Sequence, residues 1–431
     1  MPSRLSPPAA VLKIAGTLER AGFETWCVGG AVRDALLGHP HLDWDLATAA
    51  RPQQIRKLFP RTVPVGVAFG TIGVLDDSGV MHEVTTFRRD VRTDGRHAEV
   101  EFGASLDEDL ARRDYTINAI AYSPAKKVLA DPYSGERDLE KKILRAVGVP
   151  QERMREDRLR ALRGLRFAAR FDFSIEPETW NAITASAPHL GRLSAERVKQ
   201  ELEKTMDQVE LPSRAFEMWK TSGAFATLVP ELANLSATDL AVIDKLCRPV
   251  NEGRPARRVM RMIALFASVP HGSVPGILKS LRFSNADVAW ISSIVAQWQA
   301  LKDQMRSELT TGGSVSDAAI RRWAAAAGRT RLASVLRLAS ARWAAERDAG
   351  ERAPDVKQVR SVYRRALRIA YRDPIEIGDL AVNGRDLEKI GITGPAVGKT
   401  LRSLLETVIN DPAANSHTDL LERAMNLKNQ L

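Results

Sequence analysis

Two aspartates separated by one residue are the strongest chemical signal in the chain, Asp43 and Asp45 in LDWDLAT. The segment around them has the pattern of a buried strand, and side chains at positions i and i+2 of a strand project from the same face. Two like charges this close repel each other, so one carboxyl group tends to be protonated unless a cation lies between them. Mg²⁺ is held by one or two carboxylates, with water and substrate phosphates as its other ligands. The pair predicts either a Mg²⁺ site or a solvated turn, and the neighbouring segments must decide.

A glycine pair precedes the aspartates, at the junction of a predicted strand and a predicted short helix in CVGGAVRDALLG. Gly29 and Gly30 let a phosphate approach the backbone, the start of the helix presents unpaired N–H groups, and Arg33 adds a positive charge. A tight turn also explains such a pair. The order of strand, glycine pair, helix and a second strand with two aspartates favours phosphates bound beside a metal ion.

A third carboxylate and a further arginine follow in the next segments. Glu83 lies on the β-like segment VMHEVTTFRRD, and two-metal nucleotidyl transfer usually uses a third carboxylate near the attacking hydroxyl. An isolated acidic residue on a strand is also common on a solvent-facing side. In LARRDYTINAIAY, Arg113 is a candidate contact for ribose and phosphates, whereas Asp114 and Asn118 are typical capping or turn residues.

The segment REDRLRALRGLRFAARF carries charges at every third position, Asp157, Arg160, Arg163 and Arg166. On a helix these positions form one slowly turning stripe, which a solvated amphipathic helix also explains. An ionised aspartate only accepts hydrogen bonds and an arginine only donates them. Asp157 and Arg160 together therefore match the edge of cytosine or adenine and reject uracil and guanine. Arg163 and Arg166 then remain to hold a triphosphate.

Size, charge and cysteine content restrict the class of protein. A chain of 431 residues is long enough for two to four domains, and a net charge of +10 with a pI near 9.7 favours a polyanionic partner. Two distant cysteines, Cys27 and Cys247, argue against a disulfide framework or a structural zinc site. The N-terminal segment lacks an export signal and no run of about 18 apolar residues occurs, so we expect a cytoplasmic protein with no membrane partner.

The hydrophobic pattern changes near residue 145. Before it, short strand-like runs alternate with helical segments, and after it the chain is rich in Ala, Leu, Arg and Glu at helical spacing. Proline and polar residues near 210 and 353 predict helix breaks, and the polar segment RRDVRTDGRHAEVEF is interpreted as a flexible loop. The pattern predicts an α+β domain followed by an all-helical remainder.

Five segments occur together in an order and spacing typical of one family: VGGAVRDALLG with LDWDLAT, HEVTTFRRD, RRDYTINAIAY, EDRLRALRGLRFAARF and AERVKQELEK. The chain resembles the class II tRNA nucleotidyltransferases, the CCA-adding enzymes that share a family with bacterial poly(A) polymerases. The resemblance is dense over about residues 22 to 205. It implies an α+β, nucleotidyltransferase-type catalytic head with a small mixed sheet, followed by all-helical neck, body and tail. The implied bounds are 1–145 for the head, 146–210 for a neck with a nucleotide-selecting template, 211–353 for the body and 354–431 for a tRNA-binding tail.

The resemblance also implies a role for each matching residue. Asp43 and Asp45 are implied as Mg²⁺ ligands, and Glu83 as the third catalytic carboxylate. The implied nucleotide-binding residues are Gly29, Gly30, Arg33, Arg113, Asp157, Arg160, Arg163 and Arg166, and the residues implied to support the template are Glu196, Arg197 and Glu201. In the tail, VNGRDLEKIGITGPAVGKTLRSLLE predicts two helices joined by a glycine-containing turn, with Lys399 available for RNA phosphate.

The implied activity is template-independent transfer of CMP and AMP from CTP and ATP to the 3′ end of tRNA, with Mg²⁺ as cofactor and release of pyrophosphate. Poly(A) polymerases of this family typically carry a basic stretch where this chain has FPRTVPVGVAFGTIGV with only Arg61 charged, which favours tRNA as the substrate. Partial enzymes that add only CC or only A are alternatives, and the retained polar segment before RRDYT disfavours CC-only addition. An inactive RNA-binding adaptor is a further alternative, against which the three carboxylates argue. No His-Asp dipeptide occurs among the seven histidines, so the phosphohydrolase domain of some relatives is not expected.

Overall fold

The structure is a computed structural model that describes residues 5–39, 43–93, 98–246, 254–311 and 314–428. Cys247 and residues 94–97 of the predicted flexible loop lie outside the described residues. The chain divides into two compact units, Met1–Ala233 and Asn234–Leu431. The finer division at residues 145, 210 and 353 stays a prediction.

The first unit contains the strands and about half of the helices. Its strands are Thr25–Val28 (β1), Asp45–Thr48 (β2), Thr62–Gly66 (β3), Thr71–Leu75 (β4), Met81–Thr86 (β5), Arg88–Thr93 (β6), Ala98–Phe102 (β7), Ala121–Ser123 (β8), Val128–Ala130 (β9), Ile143–Leu144 (β10) and Ser174–Ile175 (β11). Its α-helices are Ala9–Arg20 (α1), Gly30–Leu36 (α2), Pro52–Leu58 (α3), Leu106–Ala111 (α4), Gly135–Lys141 (α5), Pro150–Glu156 (α6), Leu159–Phe171 (α7), Pro177–Ser186 (α8), Ala195–Gln208 (α9), Pro212–Thr221 (α10) and Ala224–Leu228 (α11).

Seven strands form one mixed sheet in the order β3-β4-β5-β2-β1-β8-β9. The pairing of β2 with β5 is parallel, and the other neighbours in this sheet are antiparallel. The interior strand β1 is buried at all of its positions, as expected for an apolar strand covered on both faces. The predicted α+β class, with a small mixed sheet followed by a helical remainder, is confirmed.

The two faces of the sheet are covered differently. Helix α1 buries Val11, Ile14, Ala15 and Leu18, which are spaced as one helical face, and it packs with α3 against one side of the sheet. On the other side, Trp26 and Ala47 pack into a core with Leu106 and Leu110 of α4. That core covers β1 and β2, whereas the same face of β3 and β5 carries the exposed side chains Val63, Val65 and Met81.

The polar segment interpreted as a flexible loop is instead a hairpin in the described residues. Strands β6 and β7 pair antiparallel, with Arg88 opposite Phe102 and a register shift between Asp90 and Arg92. Ala98, Val100 and Phe102 alternate with polar residues at the period of a strand. The high charge of the segment hid this alternation, so the loop prediction was wrong for these residues.

Two further local predictions were wrong. Asp43 precedes β2, which begins at Asp45, so the two aspartates are not positions i and i+2 of one strand. The stripe that begins at Asp157 does not lie on one helix either. Helix α6 ends at Glu156, Asp157 has an extended backbone with φ −146° and ψ 107°, and α7 begins at Leu159. Aspartate competes for nearby backbone N–H groups, which favours such a helix junction.

The second unit is helical in its described residues. Its α-helices are Ala237–Lys245 (α12), Arg254–Phe266 (α13), Val274–Ser280 (α14), Asn285–Thr310 (α15), Asp317–Ala327 (α16), Leu332–Asp348 (α17), Val356–Arg372 (α18), Gly384–Lys389 (α19), Pro395–Asn410 (α20) and His417–Lys428 (α21). The predicted helix break near 353 and the predicted helix–turn–helix at α19 and α20 are both observed. Within the described segments, no helix combines the length and apolar character required to cross a bilayer.

Candidate active site

The parallel pairing of β2 with β5 places Asp45 beside Glu83. Leu46 is paired with Val84, so Asp45 and Glu83, one residue earlier on each strand, are neighbours across the sheet. Gly73 of β4 is paired with Glu83 on its other side. Directly opposed residues share a face of a sheet, so Asp45, Glu83 and Gly73 lie on one face. Two of the three predicted carboxylates are thus brought together by the sheet.

The charge of Asp45 is poorly compensated by protein groups. Burial, Glu83 and Asp43, in decreasing order, raise the pKa of Asp45 from 3.8 to about 7, and Arg113 lowers it only partly. The repulsion expected from Asp43 is therefore present, but burial is the larger cause. A divalent cation beside this carboxylate would favour its ionised form.

The two aspartates suit an open Mg²⁺ site better than a metal site that is enclosed entirely by protein ligands. Within the described part of the chain, no group of three or more His, Cys, Asp and Glu side chains could enclose a metal ion. Asp43 is exposed and Asp45 is half-buried, and both line the same cavity. Two carboxylates at an open cavity suit Mg²⁺, which keeps water and substrate phosphates among its ligands.

The glycine pair keeps the space beside Asp45 open. Gly29 has φ 76° and ψ −139°, a conformation that side chains rarely tolerate, and it immediately precedes α2. A Cβ atom at this position would lie 3.4 Å from Nη1 of Arg113 and 3.8 Å from Oδ2 of Asp45. Any larger residue at 29 would both strain the backbone and fill the gap between the arginine and the carboxylate.

Arg33 is held in place by side chains on three sides. Its side chain is 4% exposed, Nε donates to Oδ1 of Asp34 at 2.7 Å, and Nη1 donates to Oδ1 of Asn118. Its guanidinium carbon lies 4.5 Å from the ring centroid of Phe171, a cation–π contact. The remaining surface of Arg33 lines the cavity, so the positive charge is fixed at one place in the wall.

Arg113 is anchored by a buried carboxylate. Its Nη2 donates to Oδ2 of Asp109 at 3.1 Å, and its Nη1 donates to the carbonyl oxygen of Asn118 at 3.3 Å. Arg112 binds the other oxygen of Asp109 at 2.7 Å. Two cations therefore share one buried anion, which leaves net positive charge at this part of the cavity wall.

Asp114 joins the arginine of α7 to the same network. Its Oδ2 accepts from Nε of Arg163 at 2.8 Å, and its Oδ1 accepts from Nδ2 of Asn118 at 2.9 Å. Burial alone raises the pKa of Asp114, but the charge of Arg163 and these hydrogen bonds outweigh burial and lower the pKa to about 2. Asp114 and Asn118, interpreted from the sequence as capping or turn residues, therefore also position Arg33 and Arg163.

Asp157 is held at the cavity by two donors. Its Oδ1 accepts from the backbone N–H of Leu159 at 3.0 Å, and its Oδ2 accepts from Nη2 of Arg197 at 2.8 Å. A carboxylate has about four acceptor sites, so each oxygen keeps a free one. Arg197 of α9 thus fixes the orientation of Asp157, which is the support expected of this residue from the sequence.

Arg160 is equally constrained but keeps donors for a ligand. Nη1 donates to Oε2 of Glu156 at 2.6 Å and to the carbonyl oxygen of Arg153, and Nη2 donates to the carbonyl oxygen of Arg112 at 2.8 Å. An arginine has five N–H groups, so two have no partner among the described residues. Both predicted template residues line the cavity with unused hydrogen-bonding capacity.

A buried tyrosine positions the first turn of α7. The hydroxyl of Tyr115, which is fully buried, donates to the carbonyl oxygen of Arg160 at 2.7 Å. Gly164 makes room for this hydroxyl, because a Cβ atom at 164 would overlap it and lie 2.8 Å from Cζ of the ring. The contact between Tyr115 and Gly164 therefore fixes the position of α7 along its axis and its rotation, and with them the position of Arg160.

Arg166 does not line the cavity. Its Nε donates to Oε2 of Glu201 at 2.8 Å, and its Nη1 donates to Oε1 of Gln208 at 2.9 Å. Six residues of an α-helix fall about 120° short of two full turns, so Arg166 faces away from the side of Arg160. This corrects the placement of Arg166 on a triphosphate. The structure pairs Arg166 with Glu201, whereas Glu196 is exposed in the first turn of α9.

A single cavity of about 530 Å³ collects most of the predicted site residues. The predicted residues in its lining are Gly29, Gly30, Arg33, Asp43, Asp45, Arg113, Asp157, Arg160, Arg163 and Arg197. Glu83 is absent from the lining, although it raises the pKa of Asp45 from the neighbouring strand. In the strand order β5-β2-β1, Glu83 on β5 stands on the side of Asp45 opposite β1 and the Gly29 that follows β1.

Several residues of the site were missed by sequence reasoning. Asp109 lies three and four residues before Arg112 and Arg113, a helical spacing that could have revealed it. Asp34 adjoins Arg33 and also accepts from Arg170 at 3.2 Å. The contact between Tyr115 and Gly164 has no such local signal, because 49 positions separate the two residues.

Comparisons with known proteins identify the family of this chain. A family model described as the poly A polymerase head domain matches residues 25–145, and one described as a probable RNA and SrmB-binding site of polymerase A matches residues 172–235. A CCA-adding enzyme of Pediococcus pentosaceus is 33% identical over an alignment of 444 positions. The alignment covers 99% of this chain and 99% of the relative. The chain belongs to the CCA-adding enzyme family.

Two further relatives support membership in the CCA-adding enzyme family. The CCA-adding enzyme of Streptococcus mutans is 47% identical over 208 residues, which span 48% of this chain and only 51% of that relative. The crystal structure of the Bacillus stearothermophilus CCA-adding enzyme in complex with CTP has a TM-score of 0.73 at 32% identity, covering 99% of this chain and 100% of that one. The predicted resemblance and the predicted class of enzyme, a nucleotidyltransferase, are confirmed.

Proposed function

We propose that this protein is a complete CCA-adding tRNA nucleotidyltransferase, which transfers CMP and AMP from CTP and ATP to the tRNA 3′ end and releases pyrophosphate. The observation that carries the proposal is the composition of one cavity wall. Asp43 and Asp45 supply carboxylates, Arg113 supplies positive charge, and Asp157 and Arg160 supply an acceptor and a donor for a base edge.

The chemistry of transfer falls to three carboxylates. Asp43 and Asp45 would hold Mg²⁺, which when bound supplies charge neutralisation for the triphosphate and lowers the pKa of the attacking 3′-hydroxyl. Glu83, beside Asp45 on the same face of the sheet, would orient that hydroxyl and receive its proton. The protein contributes alignment and fixed charge rather than a covalent intermediate.

Fixed arginines would bind the triphosphate. Arg33, Arg113 and Arg163 all line the cavity, and each is already bonded to a neighbouring acceptor. Prior fixation reduces the conformational entropy lost when phosphate binds. Arg166 is assigned to support of α7 through Glu201, with Glu196 retained as a proposed support residue at the start of α9.

Base choice would depend on Asp157 and Arg160. Cytosine and adenine both present an amino donor next to a ring-nitrogen acceptor, which the pair can match. Uracil and guanine present a carbonyl oxygen and a ring N–H at the same edge, so both contacts become repulsive or unpaired. The hydrogen bond from Arg197 keeps Asp157 in the orientation that this reading requires.

The RNA partner would be bound through its phosphates. Helix α18 carries Lys357, Arg360, Arg364, Arg368 and Arg372 as exposed residues at spacings of three and four, and it contains no acidic residue. Such spacing places the cations along one helix face. Lys399, exposed on α20, is a further candidate for contact with RNA phosphate.

The proposal includes a cytoplasmic location. A tRNA substrate is consistent with this location, and so are two cysteines too far apart in the sequence to suggest a disulfide framework.

The decisive experiment uses three RNA substrates. Purified protein is incubated with tRNAs that end at the discriminator base, at C and at CC, with CTP alone, ATP alone or both, and product lengths are measured. We expect addition of CCA, CA and A respectively, then arrest. Extension of the CC end alone indicates an A-adding enzyme, arrest after CC a CC-adding enzyme, and long adenosine tails a poly(A) polymerase. If the protein binds RNA but transfers no nucleotide in the presence of Mg²⁺, it is an inactive RNA-binding adaptor.

A further inference from the structure

One part of the sheet face that carries Asp45 and Glu83 is open and apolar. Val63, Val65 and Met81 are 38%, 43% and 40% exposed, far more than apolar residues of a covered sheet. Val63 is paired with Gly73, and Gly73 with Glu83, so the row Val63, Gly73, Glu83 lies on one face. We call the surface formed by Val63, Val65, Gly73 and Met81 the apolar platform.

Gly73 forms the floor of the apolar platform. A Cβ atom at this glycine would lie 2.6 Å from Sδ of Met81 and 3.0 Å from Cγ2 of Val65. These two side chains therefore close over Gly73 from either side, and Val65 shares the face of Val63. The platform ends at Glu83 on one side and at the outer edge of β3 on the other.

The outer edge of β3 is unsuited to pairing with another strand. Pro64 lies in the middle of β3 and has no backbone N–H, and the register shifts between Pro64 and Gly66. Proline and bulges on an edge strand prevent addition of a further strand. The apolar side chains of this strand are therefore not explained by strand addition from a second copy of the chain.

The position of Glu83 points to the occupant. Gly29 and Gly30 of the cavity follow β1 on one side of Asp45, and Glu83 on β5 stands on the other side, between Asp45 and the apolar platform. In an in-line displacement the attacking oxygen and the leaving oxygen lie on opposite sides of the reacting phosphorus. With the nucleotide in the cavity, the attacking hydroxyl must therefore arrive from the side of Glu83.

We propose that the apolar platform receives the 3′-terminal nucleotide of the acceptor RNA, whose ribose and base pack on Val63, Val65 and Met81 with the 3′-hydroxyl directed to Glu83. This inference rests on the proposed function and adds the subsite for the acceptor end. Phe69, 48% exposed and three residues after the end of β3, offers an aromatic face for a base, and the guanidinium carbon of Arg88 lies 5.8 Å from the centroid of its ring. A cation beside an aromatic ring suits a nucleotide, which has both a charged phosphate and an aromatic base.

A charge placed on the apolar platform tests the proposal. In Val65→Asp we expect at least a tenfold lower single-turnover rate of CMP addition to tRNA lacking CCA, with the KM for CTP and the Kd for tRNA within twofold of wild type. Val128→Asp is the matched control, because Val128 is 46% exposed on β9 at the opposite edge of the same sheet. Equal rates in the two variants, or a change of oligomeric state in Val65→Asp, would overturn the proposal.

A second readout does not depend on catalysis. A tRNA that ends in 4-thiouridine at the discriminator position is irradiated with the wild-type protein in the absence of nucleotides, and the crosslinked peptide is identified by mass spectrometry. We expect the crosslink within residues 62–69 or at Met81, and a crosslink confined to α7 or to the second unit would refute the subsite. If the protein crosslinks at β3 but transfers no nucleotide, the proposed function fails and the subsite stands; if it transfers normally and crosslinks elsewhere, the subsite alone fails.

Discussion

Replacement of Gly164 by alanine should loosen α7 and impair nucleotide use. A Cβ atom at 164 would overlap the Tyr115 hydroxyl, so the ring must move and its hydrogen bond to the Arg160 carbonyl is lost. Overpacking costs about 1–3 kcal/mol and a buried hydrogen bond left unmade about 1–3 kcal/mol, against a gain of about 1 kcal/mol in helix propensity. The net expected destabilisation is about 3 kcal/mol, which is roughly a hundredfold in an opening equilibrium.

Hydrogen–deuterium exchange of peptides from α7 measures this opening directly, and single-nucleotide incorporation measures its effect on use of CTP and ATP. Gly276→Ala is the control, because Gly276 lies within α14 and has open space where the Cβ atom would stand. It should leave both readouts unchanged. Tyr115→Phe alone should cost about 1 kcal/mol, and combined with Gly164→Ala it should recover part of the lost protection, since the overlapping oxygen is gone.

Wild-type exchange in α7 together with wild-type turnover in Gly164→Ala would show that the helix tolerates the added methyl group, contrary to this prediction. A double variant no better protected than Gly164→Ala would show that overlap with the Tyr115 hydroxyl is not the cause of the loss.

The carboxylates of the cavity, the basic surface and the ion pair of Asp114 can each be tested separately. Asp43→Ala or Asp45→Ala should reduce transfer at least about a hundredfold while tRNA affinity stays near wild type, and near-normal turnover in either variant would refute the metal site. The affinity for tRNA should fall log-linearly with salt, since phosphate contacts release counterions, and a flat response in a binding titration would contradict binding through basic surface. Asp114, whose folded-state pKa is lowered to about 2 from 3.8, should contribute about 2 kcal/mol of stability above pH 4 that is lost as the pH falls towards 2. Unfolding measured across this pH range should show a weaker loss in Asp114→Asn, and an unchanged pH dependence would contradict the ion pair with Arg163.

Local spacing in the sequence was sufficient to locate much of the site. Gly29 and Gly30 were found from the strand–glycine–helix order, and Asp157 and Arg160 from the complementary types of a donor and an acceptor three residues apart. These features depend on residues close in sequence. For such residues, the period of a helix or strand tells which side chains point in the same direction. The predicted mixed sheet and helical remainder rest on the same short-range periods.

The parts that failed depend on longer-range packing or on small rotations. The helix junction at Asp157 was missed because the charged stripe looks continuous in the sequence, although a side chain that binds the backbone N–H of Leu159 ends one helix and starts the next. Arg166 was misplaced because a drift of about 60° per step of three accumulates along a helix. The pairing of Tyr115 with Gly164 is a tertiary contact, which no local pattern specifies.

The central claim is that Asp157 and Arg160 choose the base, and the most direct test is the incorporation efficiency of each of the four NTPs by Asp157→Ala. Loss of the carboxylate removes both its hydrogen bond to the amino group and its repulsion of a carbonyl, and a hydrogen bond to a charged group is worth about 1.5–3 kcal/mol, or roughly ten- to a hundredfold in discrimination. Asp77→Ala, at an exposed aspartate that pairs with Lys13 and is not part of the cavity lining, serves as the control. On tRNAs ending at the discriminator base and at CC, we predict that UTP and GTP gain relative to CTP and ATP in Asp157→Ala and not in the control. An unchanged preference over UTP and GTP, even with a lower overall rate, would contradict the account and place base choice elsewhere in the protein.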